Sequence, residues 1–234
     1  MPTRQSVEQL RAANQGISRL IVQDLEGFWS TLSLDAPEAA RDALLNFMPQ
    51  LTTKYGDIAA TVSADWFDEE RALARVPGVF RADMAPVIAA EAVTNTVRYA
   101  AGGLFSEDPT GTLSNLSLAA AKYALQPGRD TITQNSIRDN AGWARIPTGA
   151  KTCAFCLVMA SRGFVYGTAS TAGQHDKYHG DCDCVAVPGW SHHPAVEGYD
   201  PAHLYSQYLD ARKTSGSGDL PNILSALREQ QGIS

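Results

Sequence analysis

Residues 142–167 read GWARIPTGAKTCAFCLVMASRGFVYG, and residues 178–188 read YHGDCDCVAVP. These two stretches hold every cysteine of the chain: Cys153, Cys156, Cys182 and Cys184. The five histidines, His175, His179, His192, His193 and His203, all follow residue 170, and the first 152 residues contain neither residue type. Core thiols and surface imidazoles would scatter, so the clustering marks a segment with its own chemistry. Its pattern is Cys153-Ala-Phe-Cys156, then 22 residues, then His179-Gly-Asp-Cys182-Asp-Cys184. A C-x-x-C knuckle presents two sulfurs to one ion, and a second close set arriving from a distant turn completes a tetrahedron. Placing the knuckle at a helix N-terminus lowers thiol pKa and favours the metal-binding thiolate. The expected ligands are Cys153, Cys156, His179, Cys182 and Cys184, one more than a closed zinc site needs. The sets are four cysteines, or three with His179. Two disulfides, a redox pair or plain buried thiols are the other readings. Synthesis in a reducing cytosol argues against disulfides.

The flanks of the knuckle suggest short elements: strands over Trp143–Ile146, Phe164–Tyr166 and Cys184–Pro188, a turn at Pro147-Thr148-Gly149, and a helix from Phe155 to Arg162 stopped by Gly163. Residues 167–174 form a small-residue loop. Towards the N-terminus the texture is helical. Ile17, Leu20, Ile21, Leu25, Phe28, Trp29 and Leu32 follow a 3.6-residue period. Asp35 with Glu38, and Pro37 between them, suggests the opening of a second helix. Its stripe runs through Leu44, Leu45, Met48, Leu51, Tyr55, Ile58, Val62 and Trp66, with a kink or split expected at Pro49. Met84–Ala101 reads as a helix stopped at Gly102-Gly103. Leu113–Leu125 and Arg129–Asn140 read as two more, separated by Pro127-Gly128. After the knuckle come a helix over Tyr199–Arg212, a flexible T-S-G-S-G link (214–218) and an amphipathic helix from Leu220 to Glu229.

The expected fold is therefore mainly α: a helical N-terminal part (1–142), a small α+β Cys/His-stapled domain (143–198) and a C-terminal helical tail (199–234). The last helix is shorter than the ~12–15 residues an isolated helix needs, so Ile223, Leu224 and Leu227 must dock at home or in a partner's groove. Phe28, Trp29 and Leu32 are the other candidate partner surface.

At 234 residues, 44% hydrophobic and 19% charged, the chain can bury a real core. Its net charge is −6, and neither side of Ile146 carries a basic excess. That argues against a dedicated nucleic-acid binder, although a local basic groove stays open. No apolar run approaches the ~18–20 residues that span a bilayer. The N-terminus has no apolar h-region, which predicts no secretory signal. Catalytic patterns are weak. There is no H-E-x-x-H, and a deaminase would need H-x-E before P-C-x-x-C. An HNH-type nuclease would use His175 or His179, but its further Asn and His are not in place. Ser161 and Ser170 lie in no G-x-S-x-G setting. His175-Asp176 and His192-His193 read as exposed loop residues.

The two quoted stretches resemble the Mu F-like minor head proteins of tailed bacteriophages, in the form found in phages of actinobacteria. That family shows a C-x-x-C, a glycine-ended helix and a distal H-x-x-C-x-C before a short strand, matched here by Cys153, Cys156, Gly163, His179, Cys182 and Cys184. The family's C-x-C usually encloses a basic residue, where this chain has Asp183. Residues 34–69, LDAPEAARDALLNFMPQLTTKYGDIAATVSADWFDE, also look like the helical first part of those proteins. The resemblance implies a structural virion protein, made in the host cytoplasm and placed in few copies inside the head. Expected partners are the portal, the major capsid or scaffold protein, and packaged DNA, with no membrane and no small-molecule substrate. Zinc would be structural. Related frames are often labelled capsid maturation protease, which leaves a head-maturation protease or another zinc-dependent phage enzyme as the alternative.

Overall fold

The computed structural model describes residues 1–106, 109–149, 152–167 and 182–233. In chain order the elements are α1 (Arg4–Trp29), α2 (Pro37–Leu73), α3 (Ala90–Ala100) running into a 3-10 turn (Ala101–Phe105), α4 (Thr110–Arg138), β1 (Gly142–Ile146), α5 (Ala154–Ala160), β2 (Val185–Gly189), α6 (Pro201–Ser215) and α7 (Leu220–Gln231). The chain is mainly helical, with one two-stranded antiparallel sheet.

The apolar stripes do what their period requires. Ile17, Ile21 and Leu25 of α1, Leu44, Met48, Leu51 and Tyr55 of α2, Val93 and Val97 of α3, and Leu116, Ala120 and Leu125 of α4 close one core. Phe28, Trp29 and Leu32 pack against that core, and Phe28 stacks on Phe47 with ring centroids 3.8 Å apart. Their apolar surface is thus used within the chain.

Neither proline splits its helix. Pro49 lies inside the 37-residue α2 and Pro127 inside the 29-residue α4. Each lacks an N–H and leaves a carbonyl one turn back without its helical donor. At Pro49 that carbonyl is Leu45 O; the neighbouring turns carry added side-chain bonds, from Gln50 Nε2 to Asn46 O (3.0 Å) and from Thr52 Oγ1 to Pro49 O (3.1 Å). Burial of Leu44, Met48 and Leu51 on one face holds the axis through the interruption. Pro127-Gly128 is the point where α4 crosses α2. A Cβ on Gly128 would fall 2.8 Å from Ala59 O, and one on Gly56 would meet Pro127 Cγ at 3.2 Å. The pair read as a break is a close contact between helices.

Three other boundaries differ from the sequence reading. Asp35 does not cap α2; Ala36 takes the N-cap position without a side-chain bond, and Pro37 supplies the first turn. The expected helix from Met84 starts only at Ala90, because Pro86 bars Ala85 from helical geometry. Residues 79–89 form a strap across α2 and α4. Its backbone is held by Asp68 Oδ1 (from Ala82 N, 2.8 Å), Thr131 Oγ1 (from Ala85 N, 2.9 Å) and Asn135, which accepts from Asp83 N (3.0 Å) and donates to Asp83 O (2.8 Å). Finally, α3 stops at Ala100, just ahead of Gly102-Gly103 as expected, but the chain passes through the glycines in a 3-10 turn.

β1 and β2 pair with Trp143 opposite Pro188 and Ile146 opposite Val185. The third expected strand is reduced to one bridge, Tyr166 to Trp143. The sheet joins a second core that includes Val7 and Leu10 of α1, Phe67 of α2 and Ile132 of α4. Residues on both sides of position 142 therefore share apolar contacts. Below it, Arg71 of α2 forms a buried two-pronged pair with Asp139 (2.8 and 3.1 Å), to which Trp190 Nε1 also donates (2.6 Å). A third core joins α5, α6 and α7: Ala154, Val158 and Met159 meet Ala211, Ile223, Ala226 and Leu227. The last helix docks at home.

Candidate metal centre

Cys153 is the N-cap residue of α5, in extended geometry (φ −64°, ψ 153°). The C-x-x-C spacing then puts Cys156 in the first helical turn, where it is fully buried. Cys184 is the last residue before β2 and is also buried, and Cys182 is half-buried. The sheet register therefore fixes one half of the cluster and α5 the other. The Sγ atoms of Cys156, Cys182 and Cys184 all lie within 4.8 Å of one another. Cys153 packs against them.

The helix carrying the knuckle is only seven residues long, yet its open C-terminal carbonyls are all satisfied. Ser161 Oγ donates to Val158 O (2.8 Å), Tyr166 Oη to Met159 O (3.1 Å) and Tyr199 Oη to Ala160 O. Ser161 is thus a buried capping residue.

All four cysteines are free thiols. Cys156 and Cys182 approach to 3.0 Å between sulfurs, well beyond the ~2.05 Å of a disulfide bond. Four sulfurs around one zinc at ~2.3 Å stand ~3.8 Å apart, and the three sulfurs, all within 4.8 Å of one another, are close enough to share one ion. The charge pattern fits a cation as well. The Cys156 thiol is pushed up, first by its hydrogen bond with Cys153, then by those with Cys182 and Cys184 and by burial. Cys182 is held below its ordinary value by hydrogen bonds from Cys156 and Cys184, with the positive charge of Arg129 adding to the effect. A thiolate sharing its neighbours' protons is the arrangement in which a metal ion displaces those protons.

Asp183, between the two distal cysteines, divides its carboxylate: Oδ1 accepts a long bond from the Cys184 thiol (3.9 Å), and the other oxygen points to the neighbouring turn. Its Oδ2 accepts from Gly149 N (2.8 Å) and Thr152 Oγ1 (2.9 Å), and its carbonyl accepts from Thr148 Oγ1. A Cβ on Gly149 would fall 2.2 Å from that oxygen, so only glycine fits. The Pro147-Thr148-Gly149 turn is in turn tied to α1: Arg4 Nη1 donates to Pro147 O (3.1 Å) and Arg11 Nη1 to Thr148 O (2.9 Å). A continuous chain of bonds therefore links α1 to the C-x-C. Beside it, between α1 and α4, opens a cleft of about 410 Å³, whose wall includes Arg11, Ser18, Arg129, Cys182 and Asp183.

Of the five expected ligands, the structure brings together Cys156, Cys182 and Cys184, with Cys153 alongside; His179 lies outside the described residues, as do His175 and Ser170. His192, His193 and His203 are exposed. Sequence reasoning noted Asp183 only as a departure from the family pattern, without its bonds, and passed over Arg11 and Arg129. A signal existed for the first: a carboxylate between two buried cysteines must find donors, and the Thr-Gly turn supplies them. Nothing in a helical stripe distinguishes Arg129 from a surface arginine. Among the described residues no helix is long and apolar enough to cross a membrane.

No solved structure matches the chain. Among curated proteins it is similar to the Gene 15 protein of Mycobacterium phage D29, 25% identical over 226 residues that cover 78% of this chain and 82% of that protein. It is also similar to the Gene 15 protein of Mycobacterium phage L5, 28% identical over 182 residues, covering 60% of this chain and 62% of that one. The model of the VG15 protein family matches residues 1–211, ending inside α6 and leaving α7 outside the match. With that match over nine-tenths of its length, the chain belongs to the VG15 family and is a bacteriophage protein.

Proposed function

We propose that this VG15-family chain is a structural, Mu F-like minor head protein, placed in few copies inside the phage head in contact with the portal and the capsid or scaffold protein. The observation that carries the reading is the cysteine cluster: a C-x-x-C at the N-terminus of α5 meets a C-x-C immediately before β2, seated on a helical body. That is the arrangement expected from the resemblance of residues 142–188 to Mu F-like proteins. In this reading the cluster binds zinc through Cys156, Cys182 and Cys184, with Cys153 or His179 as the fourth ligand. The ion would supply no chemistry beyond holding α5 to the strand, because a closed tetrahedral site leaves no open position. The non-enzymatic part of the reading is supported by Ser161, whose hydroxyl is committed to the backbone.

Mass spectrometry of purified virions tests the role. The protein is expected there at low copy number; abundance in infected cells with absence from virions overturns the proposal. Co-expression with the major capsid protein addresses the protease alternative. Capsid protein cleavage that disappears on Ser161→Ala would replace the structural reading with an enzymatic one.

A further inference from the structure

The four cysteines do not stand alike toward solvent. Cys153 and Cys182 are half-buried, while Cys156 and Cys184 are 0% and 4% exposed. Cys182 also lines the cleft of about 410 Å³ between α1 and α4, whose wall does not include Cys156. A small solute entering from that side meets Cys182 first.

The sulfurs of Cys156 and Cys182 are 3.0 Å apart, about 1 Å more than a disulfide bond. Both are free thiols. Cys184 is also close to Cys182, but the residue between them is pinned. Asp183 accepts from Gly149 N and Thr152 Oγ1 at its carboxylate and from Thr148 Oγ1 at its carbonyl. Those bonds hold the main chain between the two distal sulfurs, which favours Cys156, across the cluster in the first turn of α5, as the thiol that closes on Cys182.

We infer that Cys156 and Cys182 form an oxidation site, the two sulfurs that a peroxide joins into a disulfide across the cluster. Hydrogen peroxide is the oxidant. The Cys182 thiolate attacks one peroxide oxygen, the O–O bond breaks, hydroxide leaves with the thiol's proton as water, and Cys182 becomes a sulfenic acid. The Cys156 sulfur then attacks the Cys182 sulfur, the S–O bond breaks, and the hydroxyl leaves with the Cys156 proton as a second water. Two thiols and one peroxide become one disulfide and two waters. Under the zinc reading above, on which the metal part of this inference rests, two ligands are consumed and the ion departs. The new bond joins α5 to the segment before β2 and takes over the ion's fastening. A virion protein made in a reducing cytosol and later carried out of the cell meets both conditions in turn.

The test treats the purified full chain with hydrogen peroxide and digests it without reduction. Trypsin places Cys153 and Cys156 in residues 152–162 and both distal cysteines in residues 178–212. A protease cutting before Asp183 then separates Cys182 from Cys184, and fragment-ion spectra distinguish Cys153 from Cys156. The expected product is a link between Cys156 and Cys182, with one zinc released per disulfide, read with a chromophoric indicator. The oxidised chain should also resist proteolysis around β1, α5 and β2 in the presence of a chelator, where the untreated chain does not. A loop closed between Cys153 and Cys156 overturns the inference. So does a link through Cys184, or sulfinic and sulfonic acids with no link. Protease cuts in the linked chain would overturn the fastening role. A parent chain that carries no zinc, yet still joins Cys156 to Cys182, would sink the zinc reading and leave the oxidation site standing.

Discussion

The helical body and the cysteine-bearing part are built on opposite economies of length. α1, α2 and α4 run 26, 37 and 29 residues and bury continuous apolar stripes. β1 and β2 are five residues each and α5 is seven. Elements that short bury little by themselves, so they are fastened by Asp183 in its turn and by hydroxyls on the carbonyls of α5, to which the proposed zinc would add a clasp at the cysteines. Long elements tolerate local faults such as Pro49 and Pro127, because many other contacts hold them. Short ones depend on a few specific groups.

Cys156→Ser is the sharpest way to break this comparison. Loss of zinc and collapse of residues 143–190 is expected, seen as a change in Trp143 fluorescence and new protease cuts there, while most far-UV helicity survives. A chelator should act the same way on the parent chain. Parent-like protease resistance together with no zinc in elemental analysis would show that packing alone suffices.

Arg71→Ala comes next. It leaves Asp139 buried without its cation, which typically costs about 3–5 kcal/mol. Denaturant unfolding should show this as a lower midpoint; a loss under 1 kcal/mol would mean that Trp190 alone satisfies the carboxylate.

Leu227→Ala probes the tail. A fully buried leucine truncated in a core costs about 2–5 kcal/mol. Deletion of residues 214–234 should likewise destabilise the chain, since Ile223 and Leu227 cover α5. A truncated chain of parental stability that no longer enters heads would assign α7 to a partner instead.

The smallest effect is expected at the surface. The Asp24 carboxyl is held below its ordinary value by hydrogen bonds from Lys54 and Tyr55. Its contribution is thus present at neutral pH and fades as pH falls through the folded-state value. Solvent screens the pair, so Asp24→Asn should leave the melting temperature at pH 7 unchanged within error; a clear drop would show that the body, too, leans on single fasteners.

What the sequence disclosed follows the same division. The stripes of α1 and α2 and the amphipathic α7 were legible because burial has a period. The two paired strands and the helix behind the C-x-x-C were legible from their turns and branched residues. The break at Pro127-Gly128 was misread, and Pro49 does not split α2, because local rules count the missing N–H but not the packing that outweighs it: Leu44 and Met48 beside Pro49, and the crossing at Gly56 and Ala59 beside Pro127. Within the site, the cysteines that come together were marked by their spacing. The arginines of the cleft wall, Arg11 and Arg129, were not, since which helix faces line that cleft is settled only by the tertiary fold.

The strap over residues 79–89 bears on how freely this family can drift. Its main chain is bonded by Asp68, Thr131 and Asn135, while Phe80 packs on Phe67 beneath Arg71 and Arg138 and Ala82 and Ala85 are buried. Every non-proline residue offers the same amide, so those bonds are indifferent to most replacements along the strap, and Val79 and Met84 face solvent. The burden of keeping its course is shared by those polar side chains and by the strap's own Phe80, Ala82 and Ala85. Substitutions should accumulate at Val79 and Met84 while Asn135, which clasps Asp83 with both ends of its amide, stays fixed, and a deep mutational scan would display that asymmetry as permissive points beside an intolerant one.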